Sequence, residues 1–286
     1  MHIEHPQKLE PALYVVATPI GNLRDITLRA LDVLAGVDVV AAEDTRNTSH
    51  LLKHHGIHAG QLIAVHQHNE RGSAEKLVAM LQQGLSVAFV SDAGTPAVSD
   101  PGAWLVQAVM AAGLRVIPVP GASAAVAALS ASGFNAPHFL FYGFLPNRSA
   151  ARRAALQGLA SHPYTLVFYE APHRIVDCIA DLFAVLGGER KIVFAREITK
   201  LFETIHGCAL AEAETWLQED ANRQRGEFVL LVSGAEPEAG ISAETVNTLS
   251  LLLAELPLKQ AVQLAAKITG ANRSELYQCA LQMKMP

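Results

Sequence analysis

Cysteine is scarce in this chain. Cys178, Cys208 and Cys279 are odd in number and widely spaced, and they form neither a CxxC pair nor a zinc-type Cys/His pattern. A disulfide framework and a structural zinc are therefore not expected, which leaves three reduced, partly buried thiols. Long apolar runs are missing too: no stretch of about eighteen uncharged apolar residues occurs. The opening "MHIEHPQKLEPALYVV" lacks a basic start followed by an apolar segment, so the expectation is a soluble cytoplasmic protein with no membrane contact. Positive charge is in deficit, with 22 Lys and Arg against 27 Asp and Glu for a net charge of -5. A whole-surface positive field for non-specific nucleic-acid binding is thereby excluded, but a local basic patch is not. Neither GxGxxG after the first strand nor GxxxxGK[ST] is present, which disfavours a nicotinamide dinucleotide fold and a nucleoside triphosphatase. There is no internal repeat and no low-complexity tract.

What the sequence does have is hydrophobic mass, 50% of its 286 residues, enough for a large core and two domains. From Leu13 onward, short apolar runs ("ALYVVATP", "VDVVAAED", "QLIAVHQHN", "LSVAFVSD", "LRVIPVP") alternate with helical patterns. That alternation predicts a doubly wound, mostly parallel sheet with helices on both faces over residues 11–133. Gly36, Gly56, Gly84 and Gly113 each sit where a helix should end, in the position of a left-handed C-cap. The pattern breaks near Ser132–Pro137. It resumes with strands that follow one another more directly, so a mixed-sheet α/β domain is expected over 134–236. "GAEPEAGIS" reads as a linker to a helical module over 241–286, in which "LKQAVQLAAKITGANRSELYQCAL" has helix-turn-helix spacing or forms a plain packing hairpin.

In a doubly wound sheet, ligands bind beyond the carboxyl ends of the strands. The residues there are "ATPIGN", "AEDTR", "HQHNER", "SDAGTPAVSDPG" and "PGAS", five polar or glycine-bearing loops on one edge. Gly21, Gly94 and Gly121 allow a close approach to the backbone, while Pro19, Pro96 and Pro120 stiffen the turns. Ser123 opens a helix, so its hydroxyl either caps the free amides or meets a ligand. Asp92 either accepts hydrogen bonds from a ligand or orients its own loop through an Asx-turn. Asp100-Pro101 reads as a helix N-cap followed by proline in the first turn, a structural pairing. His66 and His68, on one strand face at period two, are a weak metal pair without a carboxylate-histidine partner pattern, and no metal is expected.

The second half carries its charge differently. Residues 148–200 hold 8 Lys and Arg against 5 Asp and Glu, whereas residues 1–100 hold 7 against 11. "FYEAPHR", "REITKLFET" and "RQRGEF" put charges at the ends of apolar strands. Arg174, Arg196, Lys200 and Arg225, with Tyr169 and His173 nearby, offer phosphate-positioning charge and a stacking surface of the kind single-stranded RNA recognition uses. Glu170, Glu197 and Glu227 can equally pair with those bases internally.

Taken in order, "VVATPIGNLRDIT", "AAEDTR", "SDAGTPAVSDPG", "VIPVPGASA", "FYEAPHR", "REITKLFET" and "GEFVLLV" resemble the tetrapyrrole-methylase superfamily. Within it they look like the branch that methylates a ribose 2′-hydroxyl of small-subunit ribosomal RNA. The match runs from about Leu13 to Ser233. Tetrapyrrole-modifying members carry a GxGPG-like first loop where this chain has "ATPIGN", which makes a corrin or porphyrin substrate less expected. The resemblance implies a homodimeric two-domain α/β methyltransferase. It would use S-adenosyl-L-methionine to methylate a decoding-centre cytidine, nucleotide 1402, in 16S rRNA of the small ribosomal subunit. Carried over motif by motif, the cofactor would meet Pro19, Gly21, Asp92, Ala93, Gly94, Thr95, Val98, Ser123 and Ala124, with Tyr169 closing over the adenine side.

Methyl transfer is an in-line attack on a sulfonium carbon, so alignment and exclusion of water are the main requirements. A ribose hydroxyl is a weak nucleophile, and a positioned base should help. Glu43 and Asp44, beside Arg46, are the first candidates, followed by Glu170. Arg46 joins Arg174, Arg196, Lys200 and Arg225 as the expected RNA-contacting set. Two other readings compete with this one. The first is a methyltransferase of the same superfamily acting on a tetrapyrrole or a protein, and the second is a non-catalytic RNA-binding assembly factor.

Overall fold

The computed structural model describes residues 9–135, 137–236 and 243–284. Its first half runs β1 (Leu13–Val16), α1 (Leu28–Gly36), β2 (Val39–Ala42), α2 (Thr45–His54), β3 (Gln61–Ala64), α3 (Glu70–Gln82), β4 (Val87–Val90), α4 (Ala103–Ala111), β5 (Val116–Val119) and α5 (Ala124–Ala131). The five strands form one sheet in the order β3-β2-β4-β1-β5, and every pairing is parallel. Burial on both faces explains why β2 and β4 read as unbroken apolar runs. Their side chains alternate between two cores: Val40, Ala42, Ala88 and Val90 meet α1 and α2, while Val39, Ala41, Val87 and Phe89 meet α3 and α4. Each fully buried Val, Leu or Phe contributes about 1.5–3 kcal/mol from leaving water.

The second half runs β6 (Phe139–Phe144), α6 (Ser149–Leu159), β7 (Thr165–Glu170), α7 (Ile175–Leu186), β8 (Lys191–Arg196), β9 (Thr204–Ala209), α8 (Leu210–Gln218) and β10 (Phe228–Val232). Its sheet has the order β6-β7-β10-β8-β9, with β6 parallel to β7 and the other neighbours antiparallel. The fold is thus a parallel α/β sheet followed by a mixed one, as the patterning implies.

Helix α5 departs from the simple alternation. Ala125 and Ala128 are buried with Val167, Val193, Ala195, Val229 and Leu231 of the second sheet, not against the first sheet. Its small residues, "AAVAALSA", let the helix axis come close to that sheet face. A second departure concerns the glycine stops. Gly56, Gly84 and Gly113 have φ of 69°, 87° and 71°, but Gly36 is simply the last residue of α1, which runs out through an extended Val37.

One compact unit ends at Ala235 and a second begins at Glu236. Most of the expected linker, residues 237–242, lies outside the described residues, as do Ala136 at the expected domain boundary and residues 285 and 286 of the tail. The second unit contains α9 (Ala243–Glu255), α10 (Leu258–Thr269) and α11 (Arg273–Lys284), with Leu249, Val262, Ala265, Leu276 and Ala280 at its centre. Gly270 ends α10 in the left-handed conformation, which supplies the turn between α10 and α11. Among the described residues, no helix is long and apolar enough to cross a membrane.

Candidate active site

The loops that follow β1, β4 and β5 are stitched into one ledge. Thr18 N donates to Gly94 O at 2.9 Å and Gly94 N returns a bond to Thr18 O at 3.1 Å. The Thr18 hydroxyl donates to Ser91 O at 3.1 Å, and the Thr95 hydroxyl donates to Ala122 O at 3.0 Å. Polar side chains spent on neighbouring carbonyls keep the ledge rigid and its backbone satisfied. Opposite it stand the end of β7 and the start of β10, and between them lies a cavity of about 360 Å³.

Seven of the ten expected cofactor residues line this cavity: Ala93, Gly94, Thr95, Val98, Ser123, Ala124 and Tyr169. Pro19, Gly21 and Asp92 line a neighbouring hollow of about 360 Å³ instead. The close approach that Gly21 and Gly121 permit is to the protein itself. A Cβ at Gly21 would stand 2.5 Å from Lys200 Cγ, and one at Gly121 would stand 2.8 Å from Ala17 Cβ. Ser123 is the N-cap of α5, but its hydroxyl makes no capping bond. The cap comes from the second sheet, where the Tyr169 hydroxyl accepts the Ala125 N–H at 3.2 Å. Burial pushes the Tyr169 hydroxyl pKa up, so it stays protonated.

Asp92 is occupied by its own neighbourhood. Its carboxylate accepts Asp44 N at 3.1 Å and Asn47 Nδ2 at 3.0 Å, which ties β4 to the start of α2. Its backbone N–H in turn donates to Glu43 Oε2 at 3.3 Å. Burial raises the Glu43 pKa, aided by the charges of Asp92 and Asp44. Asp44 caps α2, accepting Arg46 N at 2.8 Å and the Arg46 guanidinium at 2.6 Å, and these bonds hold its carboxyl at about 2. Neither Glu43 nor Asp44 lines the cavity. Glu170 is among the lining residues. Its side chain is wholly enclosed, accepts Ala171 N at 2.8 Å and pairs with Arg174 Nε at 3.1 Å, so it is withdrawn from acting on a substrate.

Three of the five expected RNA-contacting cations are likewise committed inside the fold. Arg174 donates to Leu145 O at 2.6 Å and to the Asn147 side chain. Arg196 is buried, donating through Nε to Arg225 O at 2.6 Å and through Nη1 to Phe202 O at 3.2 Å. Lys200 bridges Glu197 at 2.8 Å and Glu227 at 2.7 Å. Burial works against its charge, but the two bonds outweigh that and raise its pKa. Arg46 and Arg225 are exposed. A groove of about 700 Å³ runs beside Arg225, walled in part by Trp216, which stacks on His206 at 4.3 Å and lies under the Arg223 guanidinium.

The principal correction concerns Asp100, which is not a helix cap. Gly102 holds the N-cap position of α4. The first turn is satisfied by Glu70 from α3, whose Oε1 accepts Gly102 N and Trp104 N at 2.9 Å each and Leu105 N at 3.4 Å. A carboxylate suits the positive end of a helix, and this one arrives from 32 residues away. Asp100 instead lines the cavity, where burial and the charges of Glu43 and Asp92 raise its carboxyl to about 6. Around it Ala97 and Ser99 sit at φ 64° and 65°, and Gly102 at 125° with the Phe89 ring where a Cβ would be. The other non-glycine residues with positive φ, among the described residues, are Glu197 and Thr199. They flank Ile198, which lines the same cavity.

His66 and His68 lie beyond the end of β3, with ring centroids 6.0 Å apart, and so do not share a strand face. Among the described residues, no three His, Cys, Asp or Glu side chains are grouped to hold a metal ion.

Comparison with known proteins gives this cavity a family. The model for Tetrapyrrole (Corrin/Porphyrin) Methylases matches residues 12–214, and that for the RsmI C-terminal HTH domain matches residues 239–284. Ribosomal RNA small subunit methyltransferase I of Escherichia coli O157:H7 is 52% identical, covering 95% of each chain. The protein of that name from Pseudomonas aeruginosa is 54% identical, covering 94% of this chain and 96% of its own. Among solved structures, cobalt precorrin-4 methyltransferase superposes with a TM-score of 0.59 at 16% identity, over 78% of this chain and 95% of its own. Uroporphyrin-III C-methyl transferase from Thermus thermophilus, complexed with S-adenosyl homocysteine, superposes with a TM-score of 0.54 at 19% identity, over 78% of this chain and 97% of its own. With a shared two-sheet fold, a family model spanning most of the chain and end-to-end relatives above half identity, the chain belongs to the tetrapyrrole methylase family, in the group of the ribosomal RNA small subunit methyltransferase I proteins.

Proposed function

We propose that this protein is an S-adenosyl-L-methionine-dependent methyltransferase that modifies a ribose 2′-hydroxyl of 16S rRNA, at cytidine 1402, in the small ribosomal subunit. The observation that carries this reading is the cavity between the two sheets, lined by the loops after β4 and β5 on one side and by β7 and β10 on the other. Its relatives are named for methylation of small-subunit ribosomal RNA, and a protein of like fold is complexed with the demethylated cofactor.

The residues present fit the cofactor. The volume falls within the range of small-molecule sites, about 300–1,000 Å³. Val98, Ala124, Phe144 and Ile198 supply an apolar wall, and the uncommitted Ser123 hydroxyl and Tyr169 supply polar edges. Bound there, the cofactor supplies an electrophilic methyl group on a sulfonium sulfur. The chain's own part is to hold donor and acceptor in line and keep water away. Exposed Arg46 and Arg225 are the remaining members of the expected basic set that can meet phosphate. With so few uncommitted cations, recognition relies on the shape of an assembled subunit, and the chain acts as a homodimer.

The test is transfer of radiolabelled methyl to assembled small subunits, to naked 16S rRNA and to a porphyrinogen, followed by mapping of alkali-resistant ribose linkages. Label on one cytidine ribose of the assembled subunit is expected. Label on the porphyrinogen, or on no RNA, overturns the reading.

A further inference from the structure

We propose that the loop between β8 and β9 sets the register of the RNA, with the Phe202 ring stacking on an unpaired base close to the methylated ribose, a role that rests on the reading above. This loop, residues 197–203, reaches three hollows at once. Ile198 lines the cofactor cavity, Lys200 lines its neighbour, and Leu201 and Phe202 line the groove of about 700 Å³ beside Arg225. Leu201 is 90% exposed and Phe202 68%. Adjacent large apolar side chains left in water add nothing to the core, and where the backbone fixes them there they mark a contact surface. The backbone here is fixed. Lys200 N donates to Glu197 O at 3.0 Å and Glu203 N to Lys200 O at 3.2 Å. The Glu203 carboxylate accepts Thr199 N at 2.6 Å, and Phe202 O accepts Arg196 Nη1 and the Thr204 hydroxyl at 3.2 Å each. Glu197 and Thr199 stand at φ 52° and 68°, a conformation that ordinary residues keep only where their surroundings impose it.

The occupant is a single RNA strand. Trp216, the other aromatic residue of the groove, is already covered, by His206 stacked at 4.3 Å and by the Arg223 guanidinium 4.9 Å from its ring centroid. Phe202 therefore carries the open aromatic face. Arg225 is exposed on the same groove, and the carboxylates that line it are engaged: Glu197 with Lys200, Glu203 with the Thr199 amide, and Asp220 with the Asn222 amide at 2.8 Å. An open ring beside an uncommitted cation meets the needs of an unpaired base and its phosphate. Position adds a second argument. Four residues, Ile198 to Phe202, span at most about 14 Å even when fully extended. A stacked strand rises about 3.4 Å per nucleotide, so the base on Phe202 lies within about four nucleotides of the one being methylated. Because Ile198 and Phe202 belong to one fixed turn, a base seated at one end sets where the ribose enters at the other. Stacking thus supplies positioning that this acidic chain does not obtain from charge.

The experiment compares wild type, Phe202→Ala, Phe202→Leu and Phe202→Trp as full-length proteins in methyl transfer to assembled small subunits. Urea midpoints and calorimetric S-adenosyl-L-methionine affinity are measured alongside, and both should stay at wild-type values because the ring is exposed. Phe202→Ala is expected to raise KM for the subunit by about 5–150-fold, the loss of one base–aromatic stack, with kcat and the salt dependence of binding unchanged. Phe202→Leu, apolar but without a π-face, should behave like Phe202→Ala, and Phe202→Trp should restore KM. Photoreactive p-benzoylphenylalanine in place of Phe202 should cross-link to 16S rRNA within about four nucleotides of the methylated one. A wild-type KM in Phe202→Ala or in Phe202→Leu overturns the stacking role. So does a cross-link to a ribosomal protein, to a second copy of this chain or to a distant part of the rRNA. Each of these results leaves the methyltransferase reading intact, whereas wild type that binds the cofactor yet methylates no RNA overturns both.

Discussion

The Tyr169 hydroxyl accepts the Ala125 N–H at 3.2 Å, so a side chain from the second sheet caps the helix that begins where the first sheet ends. This bond crosses the wall of the cavity and makes the geometry of its two sides interdependent. Removing it with Tyr169→Phe leaves an amide of α5 unpaired. The expected cost is about 1 kcal/mol in urea unfolding, the usual worth of an N-cap, together with weaker S-adenosyl-L-methionine binding in calorimetry. A variant with unchanged affinity would mean that the cap does not shape the cavity.

Glu70 should prove a structural residue of the first rank. Glu70→Ala strips a buried acceptor from the first turn of α4 and leaves Gly102, Trp104 and Leu105 amides unmet. A loss of about 1–3 kcal/mol is expected from denaturant midpoints, with Glu70→Gln recovering part of it. Equal stability of Glu70→Ala and wild type would refute the assignment.

The arginines should separate into two classes. Arg174→Ala leaves the enclosed Glu170 without its partner and should lower stability by about 3–5 kcal/mol. Arg225→Ala should leave the unfolding midpoint near wild type, weaken binding to small subunits and reduce the salt dependence of that binding by about one counterion. Filter binding from 50 to 200 mM salt, run beside urea titrations, distinguishes the two.

Asp100 predicts how stability depends on pH. Its folded pKa, about 6, lies above the usual aspartate value of 3.8, so between those values the folded chain holds more protons than the unfolded one. Stability from this group therefore falls as pH rises from about 4 to about 6 and stays low above. Asp100→Asn should flatten that slope and be more stable than wild type at pH 8 by about 1 kcal/mol, the full shift being reduced because the group is partly solvated. Asp44 runs the opposite way: its exposed pair with Arg46 is present above about 4 and is lost as pH falls toward 2. Thermal unfolding from pH 2 to 8 in wild type, Asp100→Asn and Asp44→Asn checks both signs.

What the sequence reveals depends on whether a residue's partner is local. The strands are legible because Val39–Ala42 and Val87–Val90 are buried on both faces, and burial writes itself as consecutive apolar residues. The cavity's glycine and small-residue lining from Ala93 to Ala124 is legible for a related reason, since loops at strand ends must be polar or glycine-bearing. Asp100 is misread because Asp-Pro-Gly before a helix looks like a cap, and nothing nearby announces that Glu70 has taken that place. Arg174, Arg196 and Lys200 are ambiguous in sequence, because internal pairing with Glu170, Glu197 and Glu227 reads as well as exposure, and the carbonyls of Leu145 and Arg225 that also engage them come from other segments. The one available hint, the acidic residues beside those bases, cannot distinguish an ion pair from a solvated surface.

The seating of α5 sets the terms on which this chain can be cut or recombined. Ala125 and Ala128 complete the apolar face formed by Val167, Val229 and Leu231, so the helix belongs to the sheet that follows it in sequence. A crossover between two homologues placed in the Ser132–Pro137 connection, where the secondary-structure pattern changes, would graft one parent's helix onto the other parent's sheet. The seam that keeps each core within a single parent lies upstream, at the Pro120–Ser123 turn.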